Sequence, residues 1–188
     1  MLMEEHRALY GLLSFRLAAV ERSLPVAGGT LAAILSGSAS LPPETQRLVL
    51  LAMPAALLWL MRTTCAHARS KEDVVRRLGE LEGAVNHIAG EELLAFQSRH
   101  PNRGQRVSGR SGGTTVFGVL SFCLTAVTAC AWMAGPLWPG SLVQAAYSAY
   151  VVAVATDVVA TVWRLGRYVY RKAPPRAAPL FIGLRFPE

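Results

Sequence analysis

Asp157 is the residue best placed to do chemistry in this chain. It closes a run of 46 residues, Ser111–Thr156, that carries no charge, and it lies six residues before Trp163. An ionisable group inside an apolar helix is costly and marks a functional candidate. Ala149, Ala153 and Asp157 share one helical face, which aims the acid along a seam of small residues. Two roles stay open. One is structural, with a hydrogen bond to Thr161 or an ion pair to Arg62 or Arg22. The other is ion or proton conduction, or sensing.

Other reactive residue types form no site. His6, His67, His87 and His100 are scattered, with no second ligand three or four residues away, so no metal or other cofactor is expected. Cys65, Cys123 and Cys130 belong to no CxxC pattern and read as small packing residues. The segment 104–111 (GQRVSGRS) mimics a phosphate loop with Arg in the lysine position. It follows a helical segment instead of a strand, and that argues against nucleotide binding. Glu80, Glu82, Glu91 and Glu92 read as a solvated face. Nucleophile–base pairs and paired acids are absent, so the expectation is a protein that is not an enzyme.

The elements that must position Asp157 follow from apolar length. A spanning helix needs about 20 apolar residues. Ser111–Thr156 holds two, separated by the turn Gly135-Pro136-Leu137-Trp138-Pro139-Gly140. Residues 23–66 hold two more, broken at Leu41-Pro42-Pro43. In the second of these, Arg47 and Arg62 bracket a short uncharged centre and must snorkel to complete it, and Pro54 predicts a kink. The predicted fold is all-α: a polytopic membrane helical bundle of four transmembrane helices in two hairpins. Its parts are an interfacial amphipathic helix (1–22), a first transmembrane hairpin (23–66), a cytoplasmic amphipathic insertion with a basic linker (67–113), a second hairpin (114–163) and a basic tail (164–188).

Charge orients this bundle. Of the 19 basic residues, 17 are Arg, and such usage with abundant Ala and Gly reads as a GC-rich bacterial coding bias. Arg47 is the one basic residue in the loops 41–47 and 135–140, which leaves 18 for the opposite side. Basic residues stay cytoplasmic. Both termini are therefore expected inside the plasma membrane of a bacterium. The net charge of +7 gathers beside the apolar segments, a pattern for anionic headgroups rather than nucleic acid. The residues expected there are Arg103, Arg106, Arg110, Arg164, Arg167, Arg171 and Lys172.

Two patterns point to protein partners. Gly29, Ala33 and Gly37 recur every fourth residue, and small residues let helix backbones approach closely, within the chain or between copies. Val74, Leu78, Leu81, Val85 and Ile88 form a heptad-like stripe with polar Asn86 beside it, a face for the bundle, another protomer or the membrane surface. Gly90 predicts a bend. Leu81-Glu82-Gly83-Ala84-Val85-Asn86 with Gly90-Glu91-Glu92-Leu93-Leu94-Ala95-Phe96 resembles the cytoplasmic helix of small bacterial four-span membrane proteins of unassigned function. The resemblance covers residues 70–98 and the span arrangement, and implies topology without an activity. The functional expectation is a homo-oligomeric pore or membrane scaffold that engages a cytoplasmic partner through 70–98. The alternative is a small ion- or proton-coupled transporter using Asp157.

Overall fold

A computed structural model describes residues 2–94, 109–138 and 140–168. Among them the chain is all helix and turn, with no strand: α1 (Leu2–Ser38), α2 (Pro43–Ala89), α3 (Gly109–Ala134), a 3-10 turn (Gly135–Leu137) and α4 (Ser141–Gly166). Three of these helices, α2, α3 and α4, are long and apolar enough to cross a membrane. The fourth expected span, on α1, is not among them. Gly28, Gly29, Ser36, Gly37 and Ser38 dilute its apolar content, and the helix stops at Ser38.

Neither expected boundary at 22/23 or 66/67 interrupts a helix. α1 runs unbroken through Pro25. A proline leaves the carbonyl four residues earlier without its helical donor. Here that carbonyl belongs to Glu21, an exposed position. α2 is 47 residues long, about 70 Å at 1.5 Å per residue, more than twice a hydrocarbon core of about 30 Å. No Gly or Pro occurs between Ala55 and Leu78, so nothing in the backbone separates the apolar part from the charged part. Pro42 and Pro43 start α2 where their missing N–H groups had no helical partner.

α2 is the hub, packed against α1, α3 and α4. Its inward stripe is Leu50, Met53, Leu57, Met61 and Cys65. Val116, Cys123, Val127 and Cys130 of α3 and Tyr147, Val151, Val154 and Val158 of α4 close on it. The Cys123 thiol donates to the Leu57 carbonyl across the α2–α3 contact (3.5 Å). α1 adds only the partly buried Leu31 and Leu35 to this core. Among the described residues its small-residue stripe is not packed on: Gly29, Ala33 and Gly37 are all exposed, and a Cβ built on either glycine meets nothing within 4 Å.

Beyond the apolar part of α2, Val74, Leu78 and Leu81 are buried, Leu78 completely. α1 turns back at residues 39–42, and its 37 residues reach to about the level of Gly79. Only the end of the heptad-like stripe stays open, with Val85 half-buried and Ile88 exposed. Glu82, expected on a solvated face, is buried and held by interactions within the chain. Gly90 does not bend the helix but ends it, at φ +72°, a left-handed cap that glycine adopts without strain. Asn86 acts on the same cap. Its amide donates to the Leu94 carbonyl (2.6 Å), and its oxygen accepts from the Leu93 (3.0 Å) and Leu94 (2.9 Å) N–H groups. Replacing Asn86 with Ala removes all three bonds. Hydrogen exchange of the Leu93 and Leu94 amides is expected to accelerate while that of Leu78 and Leu81 stays slow.

Candidate functional site

Asp157 lies on α4 facing α2, and its carboxylate accepts a hydrogen bond from the Arg62 guanidinium in an ion pair between the two helices. Of the partners considered from sequence, Arg62 is the one used. Thr161 is buried one turn further along α4, and Arg22 is exposed on α1. The Asp157 side chain is 28% exposed and that of Arg62 59%. The arginine thus neutralises the acid while its own head reaches out of the bundle, as a snorkelling side chain does.

This pair is one rung of a ladder. The Tyr147 hydroxyl donates to the Leu50 carbonyl (2.9 Å), and the Tyr150 hydroxyl donates to the Leu51 carbonyl (3.1 Å). Further along, the Tyr168 hydroxyl donates to Asp73 (2.7 Å). Partners climb together along both helices, so α2 and α4 run parallel. At the first end of the ladder, Arg47 donates through Nε (3.2 Å) and a terminal nitrogen (2.9 Å) to the Leu137 carbonyl, clamping the 3-10 turn to α2. Trp138 stacks on Tyr147, with ring centroids 4.6 Å apart.

The Tyr147 rung has a specific cause. Pro54 has no N–H, so the carbonyl four residues before it, that of Leu50, loses its helical donor. Leu50 and Pro54 are both buried. In an apolar medium such a carbonyl needs another donor, and a neighbouring helix can supply one. Tyr147, itself buried, does so. Sequence reasoning missed this tyrosine, although the signal was present: a proline in an apolar helix calls for a hydroxyl elsewhere.

The remaining sequence-singled residues distribute as follows. Ala149 and Ala153 are exposed on α4, so the small seam leading to Asp157 is open rather than packed. Arg164 and Arg167 are exposed at the end of α4, and the Arg167 guanidinium lies over the Trp163 ring (3.6 Å to the centroid). Arg110 falls in the first turn of α3. Arg103, Arg106, Arg171, Lys172 and His100 lie outside the described residues, as does most of the 104–111 segment. Ser121, Thr125 and Thr128, polar residues in the apolar part of α3, sit on its outer side, and the Thr128 hydroxyl donates back to the Leu124 carbonyl (2.8 Å). Cys65, Cys123 and Cys130 are buried free thiols. No group of His, Cys, Asp and Glu able to hold a metal occurs among the described residues.

No family model, curated protein or solved structure matches the chain.

Two outcomes follow from the ladder. Tyr147→Phe leaves the Leu50 carbonyl without a donor and should lower stability by about 1–3 kcal/mol. Pro54→Ala restores that donor, so the double variant should recover most of the loss in a thermal melt in detergent. For the ion pair, Asp157→Asn should lower the melting temperature, and the exchange Arg62→Asp with Asp157→Arg should raise it again.

Proposed function

We propose that the chain is a non-enzymatic integral membrane protein, a homo-oligomeric scaffold that spans the bilayer four times in two hairpins with both termini in the cytoplasm. α1 supplies the remaining span. Its hydroxyls are turned onto its own backbone, Thr30 to the Val26 carbonyl (2.8 Å) and Ser38 to the Leu35 carbonyl (2.6 Å), as suits a helix in lipid. The orientation rests on the charge asymmetry across the loops. The end of α2 from Val85 onward, beyond the part covered within the chain, is the surface left for a cytoplasmic partner.

The observation that carries self-association is the open stripe Gly29, Ala33 and Gly37. Small residues serve close helix contacts, and nothing among the described residues packs on these. The scaffold is favoured over a pore because the interior is filled with apolar side chains, while Ser121, Thr125 and Thr128 of α3 face outward. The transporter reading is the weaker one, since Asp157 already holds an arginine.

Crosslinking and mass measurement in lipid nanodiscs test the proposal. The native chain should run as an oligomer, and Ala33→Leu with Gly37→Leu should give a folded monomer. A native chain that stays monomeric, or a variant that assembles unchanged, would contradict it. For the alternative, Asp157→Asn should leave proton flux into vesicles at background. A substrate-driven flux that disappears in this variant would restore the transporter.

A further inference from the structure

The α2–α4 ladder sets two arginines at one level. Arg62 with Asp157 and Asp73 with Tyr168 are both separated by 95 positions. The same offset sets Arg69 level with Arg164. Arg69 lies seven residues beyond Arg62, and Arg164 seven beyond Asp157, so each stands two helical turns, about 10 Å, past the ion pair and on the same stripe. Two arginines thus stand level on one stripe, between an ion pair on one side and a hydrogen bond on the other.

Among the described residues neither arginine is ion-paired to a carboxylate. Asp157 is held by Arg62, Asp73 accepts from Tyr168, and Glu72 accepts from Arg76 (2.7 Å). The Arg69 head stacks over the Tyr168 ring, 5.8 Å from its centroid, and its Nε is buried with no hydrogen-bond partner. A buried donor in that position is costly unless an acceptor reaches it. Guanidinium forks match phosphate oxygens in a bidentate manner. The level is also informative. Exposed Trp163 sits one residue before Arg164, and an exposed tryptophan beside an apolar helix end marks the headgroup region.

We infer that Arg69 and Arg164 form a binding site for one phosphate group, that of an anionic phospholipid, at the cytoplasmic end of the α2–α4 seam. The lipid phosphate accepts from the guanidinium groups of Arg69 and Arg164, and Trp163 lies against the adjoining glycerol and upper acyl chain. This site is narrower than general attraction to the membrane surface. It names one headgroup and one seam, and Arg69 is outside the basic linker and tail. It rests on the membrane reading. That reading fails separately, if the folded chain disperses in buffer without detergent before any lipid is added.

The test is native mass spectrometry of the full chain released from micelles doped with phosphatidylglycerol or phosphatidylcholine. One phosphatidylglycerol should remain bound in preference to phosphatidylcholine. Arg164→Gln, an exposed change that leaves the core intact, should weaken its retention on the order of tenfold, the effect of losing one charged contact. Arg69→Gln should do the same, Arg69→Lys should recover part, and Arg76→Gln should change nothing. Melting in neutral detergent checks that each variant is folded. Equal retention of both lipids, or a folded Arg164→Gln that keeps phosphatidylglycerol like the native chain, would overturn the proposal. Preferential binding of inorganic phosphate that excludes the lipid would overturn the lipid as its source.

Discussion

In hydrocarbon no water stands ready to bond a stray carbonyl, so each backbone group must find its partner within the protein. Pro54 breaks that rule in the apolar part of the helix on which the other three rest, and Tyr147 mends it from α4. This one bond does more than satisfy an acceptor. It places the start of α4 against the start of α2 and sets the register that brings Arg62 to Asp157 and Asp73 to Tyr168. A proline expected to kink α2 also frees the carbonyl that its neighbour α4 bonds. The helix continues on both sides of it.

The same helix joins two environments. Its first part carries the apolar core, and its second part carries Arg76, Arg77, Glu72 and Glu80 in pairs three and four residues apart. Such pairs support a helix in water by a few tenths of a kcal/mol each. They suit a segment that leaves lipid. With no glycine or proline between Ala55 and Leu78, the apolar and charged parts form one uninterrupted helix.

Much of this was legible in the residues. The turns at Leu41–Pro43 and Gly135–Gly140 and the apolar helices they separate follow from composition and charge, whereas Arg62 was one of three partners that the residues left open for Asp157. Length and continuity were harder to read. The change from apolar to charged sequence near Arg62 looks like a boundary, but polarity does not end a helix; breakers do, and none is there. The fate of the small and apolar stripes was equally hidden. Gly29-Ala33-Gly37 and Val74-Leu78-Leu81 both look like packing faces. Only the path of α1 along α2 shows that the second is covered and the first is open. Arg69 carried no signal alone, because its meaning comes from the offset between two helices.

The account depends on α2 passing from lipid into water without a break. Single cysteines placed along it in a chain lacking Cys65, Cys123 and Cys130, treated in intact vesicles with a membrane-impermeant maleimide, measure this directly. Exposed positions in the apolar part, Leu51, Ala55 and Trp59, should stay unlabelled, whereas Gly83, Ala84 and Ile88 should react from the cytoplasmic side. Equal labelling at Ala55 and Ala84 would show that water, and not lipid, surrounds the whole helix.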